Sequence, residues 1–356
     1  MNMKITGITD RFTQEATLYE GLFIGRISSQ SKDLYHVITD FGEIHAEVSG
    51  RFRFEAERSC DYPAVGDFVM LDRTDDKNGN AIIHKVLTRK SCFERKAAGT
   101  GNDTQVVAAN IDFVFLCMSL NQDFNLRRLE RYLSIAWNSG AAPVILLTKS
   151  DLCDNLQQLL SKVSAIAVGA DVIVTSSISE AGYQPIIEFL KPGKTAAFIG
   201  SSGVGKSTLI NRLAGSELLA TAEIRSDDGK GRHTTTKREL LVLPNGSIVI
   251  DTPGMRELGI ENADFSKAFS DIDELAKQCR FHNCSHSREP GCEVKKAIQQ
   301  GLLSIERLDN YRKLKRETDY EGLNSRRIEE EKINAMFGSK AEMKQMKKYL
   351  NTKKKR

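Results

Sequence analysis

Three observations in the 356-residue sequence predict a multidomain α/β protein. Up to about Thr88 the apolar runs are short, alternating or β-branched, and punctuated by Gly, Asp and Asn, which is the pattern of a small all-β unit. From Gln105 apolar strands alternate with helical stretches, as in a mostly parallel sheet covered on both faces. After Gly259 no strand signal returns, and a Cys/His cluster follows an amphipathic stretch. At ~150 residues per domain the length suits two or three domains. The expected boundaries are 1–90 for a barrel, 91–104 for a linker, 105–262 for the sheet domain, 263–338 for a helical metal-binding module and 339–356 for a basic tail.

Composition sets the limits within which these elements fold. Fifty-one basic and forty-seven acidic residues leave a net charge of +4, and 40% of the chain is apolar, enough to bury a core. Seven cysteines, an odd number, are too few for a disulfide scaffold in a chain of this length. No apolar run approaches the ~20 residues of a membrane-spanning helix. The most apolar window, Val106 to Met118, is interrupted by Asn110 and Asp112. The first residues, MNMKITGITDRF, carry no apolar stretch of signal-peptide type. A soluble, reducing, cytoplasmic protein without membrane contact is expected.

In the first region strands are expected at Gly21–Ser28, Leu34–Thr39, Glu43–Val48, Asp67–Leu71 and Ala81–Leu87, with a turn at Asp75–Asn80. Five strands in under a hundred residues suit a small closed barrel of the OB type, a fold that binds nucleic acid. Arg51, Phe52, Arg53 and Phe54 interleave basic and aromatic side chains there, a combination suited to stacking on bases or to plain core packing. Arg89–Thr104 is basic, contains glycine and shows no periodicity, so it is expected as a linker. In the sheet domain strands are expected at Ile111–Met118, Pro143–Thr148, Asp171–Ser176, Thr195–Ile199, Arg238–Leu243 and Ser247–Asp251. Leu126, Leu129, Leu133 and Trp137 share one face of a helix between the first two.

Gly200–Thr208, GSSGVGKST, fits G-x-x-x-x-G-K-[ST]. Small residues (Gly200, Ser201, Ser202, Gly203, Val204, Gly205) let successive backbone N–H groups close around phosphates. Lys206 then reaches the outer phosphates, Ser207 offers a hydroxyl to Mg²⁺, and Thr208 continues the turn. The strand Thr195–Ile199 enters this loop, and Leu209, Ile210 and Leu213 leave it on a helix whose N-terminus attracts anions. A nucleoside-triphosphate site is expected.

The base is addressed elsewhere. Thr148-Lys149-Ser150-Asp151 follows the strand Pro143–Thr148 and resembles the N-K-x-D guanine motif of translation-factor GTPases, with Thr in place of Asn. Asp151 would accept both guanine donors and the Lys149 stem would lie along the ring; a helix-capping Asp is the plainer alternative. Thr175-Ser176-Ser177 would form the small loop over the base. Asp251-Thr252-Pro253-Gly254 matches D-x-x-G, placing Asp251 on Mg²⁺ through water and the Gly254 N–H at the γ-phosphate. Between the phosphate loop and this motif Gly229–Thr236, GKGRHTTT, is expected as a switch loop in which Thr235, or a neighbouring Thr, closes on the metal. Met255 stands where Ras-like GTPases place a water-orienting glutamine, so His233 is the candidate for that task, a solvated loop residue being the alternative. The parts are complete, but base recognition precedes the phosphate loop. A circular permutation produces that order, and it leads the second switch straight into the C-terminal module.

Cys279, Cys284, His286 and Cys292 form C-x4-C-x-H-x5-C, a four-ligand set for one structural zinc, with His282 as an alternative imidazole. Cys60, Cys92, Cys117 and Cys153 are scattered and expected as packing residues. In the tail Lys340–Arg356 eight basic residues face the single acid Glu342, a run suited to phosphate contacts or to solvent.

A barrel, a rearranged GTPase order and this Cys/His spacing together resemble the bacterial small-ribosomal-subunit biogenesis GTPases, the RsgA family, over about residues 1 to 310. Ala109-Asn110-Ile111-Asp112 looks like that family's entry into the GTPase domain. The resemblance implies a monomer that binds the maturing small ribosomal subunit and its 16S rRNA late in assembly. It also implies GTP hydrolysis stimulated by the subunit, followed by release. A P-loop kinase of small molecules and a GTP-holding RNA scaffold without turnover are the competing classes.

Overall fold

The computed structural model describes residues 7–96, 104–176, 183–218, 239–251 and 268–319. Ser177, His233, Thr235, Gly254, Met255, the switch loop Gly229–Thr236 and the tail Lys340–Arg356 lie outside the described residues.

Helix α1 (Asp10–Ala16) precedes the barrel strands β1 (Phe23–Ser31), β2 (Leu34–Thr39) and β3 (Gly42–Val48). A short helix α2 (Gly50–Glu55) then leads to β4 (Phe68–Leu71) and β5 (Ala81–Val86). The pairings run β1-β2-β3-β5-β4, and β4 returns to β1, so the barrel is closed; only β3 and β5 are parallel. Alternation along the strands sends Ile27, Tyr35, Val37, Ile44, Ala46, Val69, Leu71 and Ile83 into its core. The N-terminal helix was not foreseen. Its Phe12, fully buried, stacks at 4.2 Å on Phe68 and closes one end of the barrel with Met70 and Leu87.

The stretch expected as an irregular linker differs. Strand β6 (Cys92–Lys96) pairs antiparallel with β7 (Thr104–Ala109) in a separate two-stranded ribbon. Basic residues concealed the signal, because β6 reads CFERK and buries Phe93 alone on its apolar side. The interleaved motif also resolves. Ser49 caps α2 by accepting from the Phe52 N–H, Phe52 turns inward against Tyr62, and Phe54 is 90% exposed.

The second unit runs β8 (Phe113–Ser119), α3 (Leu126–Ser139), β9 (Ala142–Thr148), α4 (Leu156–Ser164), β10 (Asp171–Val174), α5 (Gln184–Phe189), β11 (Thr195–Ile199), α6 (Lys206–Ala214), β12 (Glu239–Val242) and β13 (Ile248–Asp251). Its strand order is β10-β9-β8-β11-β13-β12, parallel except for the last pair. β11 sits between β8 and β13, so the phosphate loop leaves the middle of the sheet where strand connections diverge to either side. Helix α3 starts at Asn125, whose side chain accepts from the Arg128 N–H, and stops at the left-handed Gly140. Its Leu129 and Leu133 are buried as expected.

The third unit holds α7 (Ser270–Lys277), α8 (Glu293–Gln299) and α9 (Ile305–Asp319). It docks on α3: Phe269, Ile272 and Leu308 join the same core as Leu129 and Leu133. At that contact Arg307 pairs with Glu130 and with Asp271, and Asn310 donates to Glu130. Burial pushes the Glu130 carboxyl up despite Arg307, so the charged form of Glu130 depends on its partners.

Barrel and sheet meet through buried polar groups. Arg26 of β1, fully buried, donates to the Gly66 carbonyl at 3.2 Å and to Thr195 Oγ1 at 2.9 Å. Burial lowers its guanidinium to about 10, opposed by Asp112 and Asp67. Asp112 accepts from Lys90 Nζ at 2.8 Å and from the Thr195 N–H at 2.9 Å. Asp67 accepts from Arg89 and from the Ala64 N–H.

Candidate functional site

The C-terminal ends of β9, β10, β11 and β13 carry the expected motifs. Gly200 follows β11 so closely on Cys117 that an added Cβ would stand 2.6 Å from the Cys117 carbonyl oxygen. Only glycine permits that approach, which seats the loop on β8. Gly205, at φ +100°, turns the chain into α6, aiming the first-turn N–H groups at the loop. Ser202, Gly203 and Thr208 are exposed, Val204 is buried, and Ser207 is half-buried in the first turn of α6. Lys206 Nζ donates to the carbonyls of Gly200 and Ser201, both at 2.7 Å. The ammonium is thus held against the loop by acceptors weaker than a phosphate.

Thr148 ends β9 and Asp151 lies in the one-turn 3-10 segment Ser150–Leu152. Between them Lys149 adopts φ +58°, a conformation rare outside glycine that swings Asp151 back toward the sheet end. Ser176 donates to the Asp151 carboxylate, and the Ser150 N–H donates to the Thr175 carbonyl at 3.3 Å. Thr148 Oγ1 donates to the Val204 carbonyl at 2.8 Å, which joins the base motif to the phosphate loop across 56 residues of sequence. Asp251 ends β13. Burial pushes its carboxyl up, Lys206 opposes that shift and Glu239 adds to it. A buried carboxylate beside one lysine fits a divalent cation, whose charge would offset the burial.

Two contacts escaped the sequence reading. Asp123, in the loop after β8, accepts from Ser201 Oγ at 2.8 Å and pairs with Arg128 at 2.9 Å, bracing the phosphate loop from the side. Nothing in the spacing of Asp123 announces this, since β8 meets β11 only in the folded sheet. Cys117, beneath Gly200, is buried and pushed up to about 12, an inert packing thiol as expected. A cleft of about 570 Å³ beside the base turn is lined by Asn121, Leu152, Asp154 and Gln158 and includes no phosphate-loop residue.

Cys279, Cys284, His286 and Cys292 converge, with their ligand atoms all within 4.8 Å of one another. Cys279 Sγ lies 3.8 Å from Cys292 Sγ and 3.7 Å from His286 Nδ1, and Cys292 Sγ lies 3.5 Å from that nitrogen. A tetrahedral zinc with metal–sulfur bonds of about 2.3 Å and a metal–nitrogen bond of about 2.0 Å would space sulfurs about 3.8 Å apart and sulfur from nitrogen about 3.5 Å. The set fits one ion, through Nδ1, and His282 is not part of it. Burial would raise the Cys279 thiol, but N–H groups of Val294 and Glu293 and the neighbouring thiols bring it below its ordinary value. His286 reaches its place at φ +59°.

With these positions fixed, comparison with known proteins decides the family. A relative in Lactiplantibacillus plantarum, named small ribosomal subunit biogenesis GTPase RsgA 2, is 49% identical over 98% of this chain and 98% of its own length. The chain belongs to the RsgA GTPase family. The RsgA GTPase family model matches residues 86–261. A family relative from Methanosarcina acetivorans, the small ribosomal subunit biogenesis GTPase RsgA, is 41% identical over 94% of this chain and 91% of its own. Among solved structures, YjeQ from Thermotoga maritima superposes with a TM-score of 0.62 at 28% identity, covering 82% of this chain and 97% of that one. YloQ, described as a circularly permuted GTPase, gives 0.61 at 26% identity, covering 86% and 98%. An ABC transporter model also matches residues 185–338, a span that contains the phosphate loop such ATPases share. Membership makes the chain a GTP hydrolase of the P-loop type on a circularly permuted sheet, as the motif order implied.

Proposed function

We propose that the chain binds GTP with Mg²⁺ at the strand ends and hydrolyses it when stimulated by the maturing small ribosomal subunit. It acts as a late assembly factor that leaves after hydrolysis. The observation that carries this is the Thr148 hydrogen bond to Val204, which brings the base-reading turn and the phosphate loop into one site despite their inverted order. In this reading Asp151 accepts the guanine N–H donors, with Ser176 fixing the carboxylate and Ser150, Thr175 and Ser177 completing the turn around the base. The Lys149 stem covers the ring. Gly200 to Gly205 present N–H groups to the phosphates, and Lys206 exchanges its loop carbonyls for phosphate oxygens. Ser207 and, through water, Asp251 hold Mg²⁺, which supplies charge neutralisation at the outer phosphates. Gly254 and Thr235 report the γ-phosphate, and His233 orients the attacking water that Met255 cannot.

Cys279, Cys284, His286 and Cys292 hold one structural zinc, because four protein ligands leave no open position. The barrel, the exposed Phe54 with Arg51 and Arg53, and the basic tail supply contacts to 16S rRNA. The protein works as a cytoplasmic monomer. Among the described residues no helix is long and apolar enough to cross a membrane.

The decisive measurement is GTP and ATP turnover by the purified chain, alone and with small or large ribosomal subunits. The expected result is slow GTP hydrolysis raised at least about tenfold by small subunits only. Met255 also favours a second reading, a GTP-held RNA scaffold. Tight GTP binding with no stimulated turnover selects it.

A further inference from the structure

The strand ends that form the base-reading turn contain, among the described residues, a buried hydroxyl with no hydrogen-bond partner. β9 and β10 are parallel and in register at Leu147 and Val174, and the Thr175 N–H donates to the Leu147 carbonyl at 2.8 Å. Thr175 therefore stands beside Thr148, and register neighbours on parallel strands project to the same face. A threonine hydroxyl has a single proton to donate. Thr148 gives its proton to the Val204 carbonyl of the phosphate loop. Thr175 is 4% exposed, and among the described residues its buried hydroxyl has no hydrogen-bond partner. Such an orphan is rare and costly in a folded interior.

Thr148 gives its one proton to Val204, and its hydroxyl oxygen, though able to accept, receives none from Thr175. An asparagine there carries two N–H donors and an acceptor, so it can donate to Val204 and accept from the Thr175 hydroxyl at once. With threonine the link from the turn that reads the base to the loop that grips the phosphates includes the single bond that Thr148 can donate. The neighbouring strand end is left unsatisfied.

We propose that Thr148 is a positioning residue that sets how long a guanine nucleotide stays bound. By leaving Thr175 unpartnered, it keeps the link between base turn and phosphate loop weak and nucleotide release fast. The inference rests on the GTP site proposed above. It adds that this chain is built for release rather than for tight retention.

The test is release of a fluorescent GDP analogue, and of its GTP counterpart, chased by excess unlabelled nucleotide in stopped flow. T148N is expected to slow release of both by about tenfold, the return from one buried hydrogen bond regained. T175V placed in the T148N background is expected to abolish most of that slowing, since it removes the partner that asparagine gained. T175V alone is expected to leave the melting temperature of the nucleotide-free protein unchanged or raised, because it deletes an unsatisfied group. Release by T148N within about twofold of the parent overturns the proposal. So does a clear fall in melting temperature for T175V alone, a measurement that decides the matter even if T148N does not fold. A parent chain that binds no guanine nucleotide overturns the site itself. Normal binding with an unresponsive T148N overturns only the role given to Thr148.

Discussion

The two ends of the central sheet are built on opposite principles. At the end facing the barrel, charges are buried and closed on one another: Arg26 on Gly66 and Thr195, Asp67 on Arg89 and Ala64, Asp112 on Lys90 and Thr195. At the nucleotide end the polar groups are provisional. Lys206 rests on loop carbonyls, and among the described residues the raised Asp251 carboxyl is opposed by the one cation Lys206. Closed networks fix geometry, because removing one partner strands another in low dielectric. Open ones keep their donors for a ligand. The Cys/His cluster sides with the closed kind, its four ligand atoms facing one another rather than a cleft.

This contrast can be broken by experiment. The largest effect is expected on stripping metal from the C-terminal module with a strong chelator. Its helical circular-dichroism signal should collapse, since structural zinc supplies folding free energy outright. Nucleotide affinity should stay within about threefold, and joint loss of both would place the module inside the GTPase fold. Next, Asp67→Ala leaves Arg89 facing the carbonyls of Cys60 and Tyr62 without a carboxylate. A loss of about 3–5 kcal/mol in denaturant unfolding is expected, with nucleotide affinity retained. Lys206→Ala should do the reverse, weakening GTP binding by at least about a hundredfold, roughly 2.7 kcal/mol, while the melting temperature of the empty protein stays put. A stability loss like that of Asp67→Ala would show that the two ends do not differ in kind. Smallest of the set, Asp151→Asn should lower the preference for GTP over xanthosine triphosphate by about tenfold in competition, since one acceptor replaces two. An unaltered preference would leave Asp151 as a capping residue only.

The same contrast explains which residues could be read before folding. Gly200, Gly205 and Lys206 declare themselves because a phosphate grip is made by consecutive backbone groups, and consecutive groups leave a motif. Cys279 through Cys292 do so because a metal set on one short loop has fixed spacing. Thr148 and Asp151 were legible as a motif, but the partners Val204 and Ser176 were not, being 56 and 25 residues away. Asp123 left no mark at all, and Thr175 was read only as part of the loop over the base, without its orphaned hydroxyl. Strand β6 was missed because its charged residues hid a single inward Phe93, and α1 because Phe12 is its one fully buried side chain and its other ties, Glu15 and Arg11 on Thr88, are polar and distant in sequence.

The sequence by itself determined the barrel's five strands, the parallel core, the motif order that reveals a permuted GTPase, and the three cysteines of the candidate metal cluster. Each rests on local periodicity or short-range spacing. Tertiary structure alone decided that His286 rather than His282 faces the thiols and that Asp123 braces the phosphate loop. It also decided that Arg26 staples barrel to sheet across 169 residues. Those choices depend on which strands become neighbours, and strand neighbours are selected by burial of the whole core rather than by any run of residues within it.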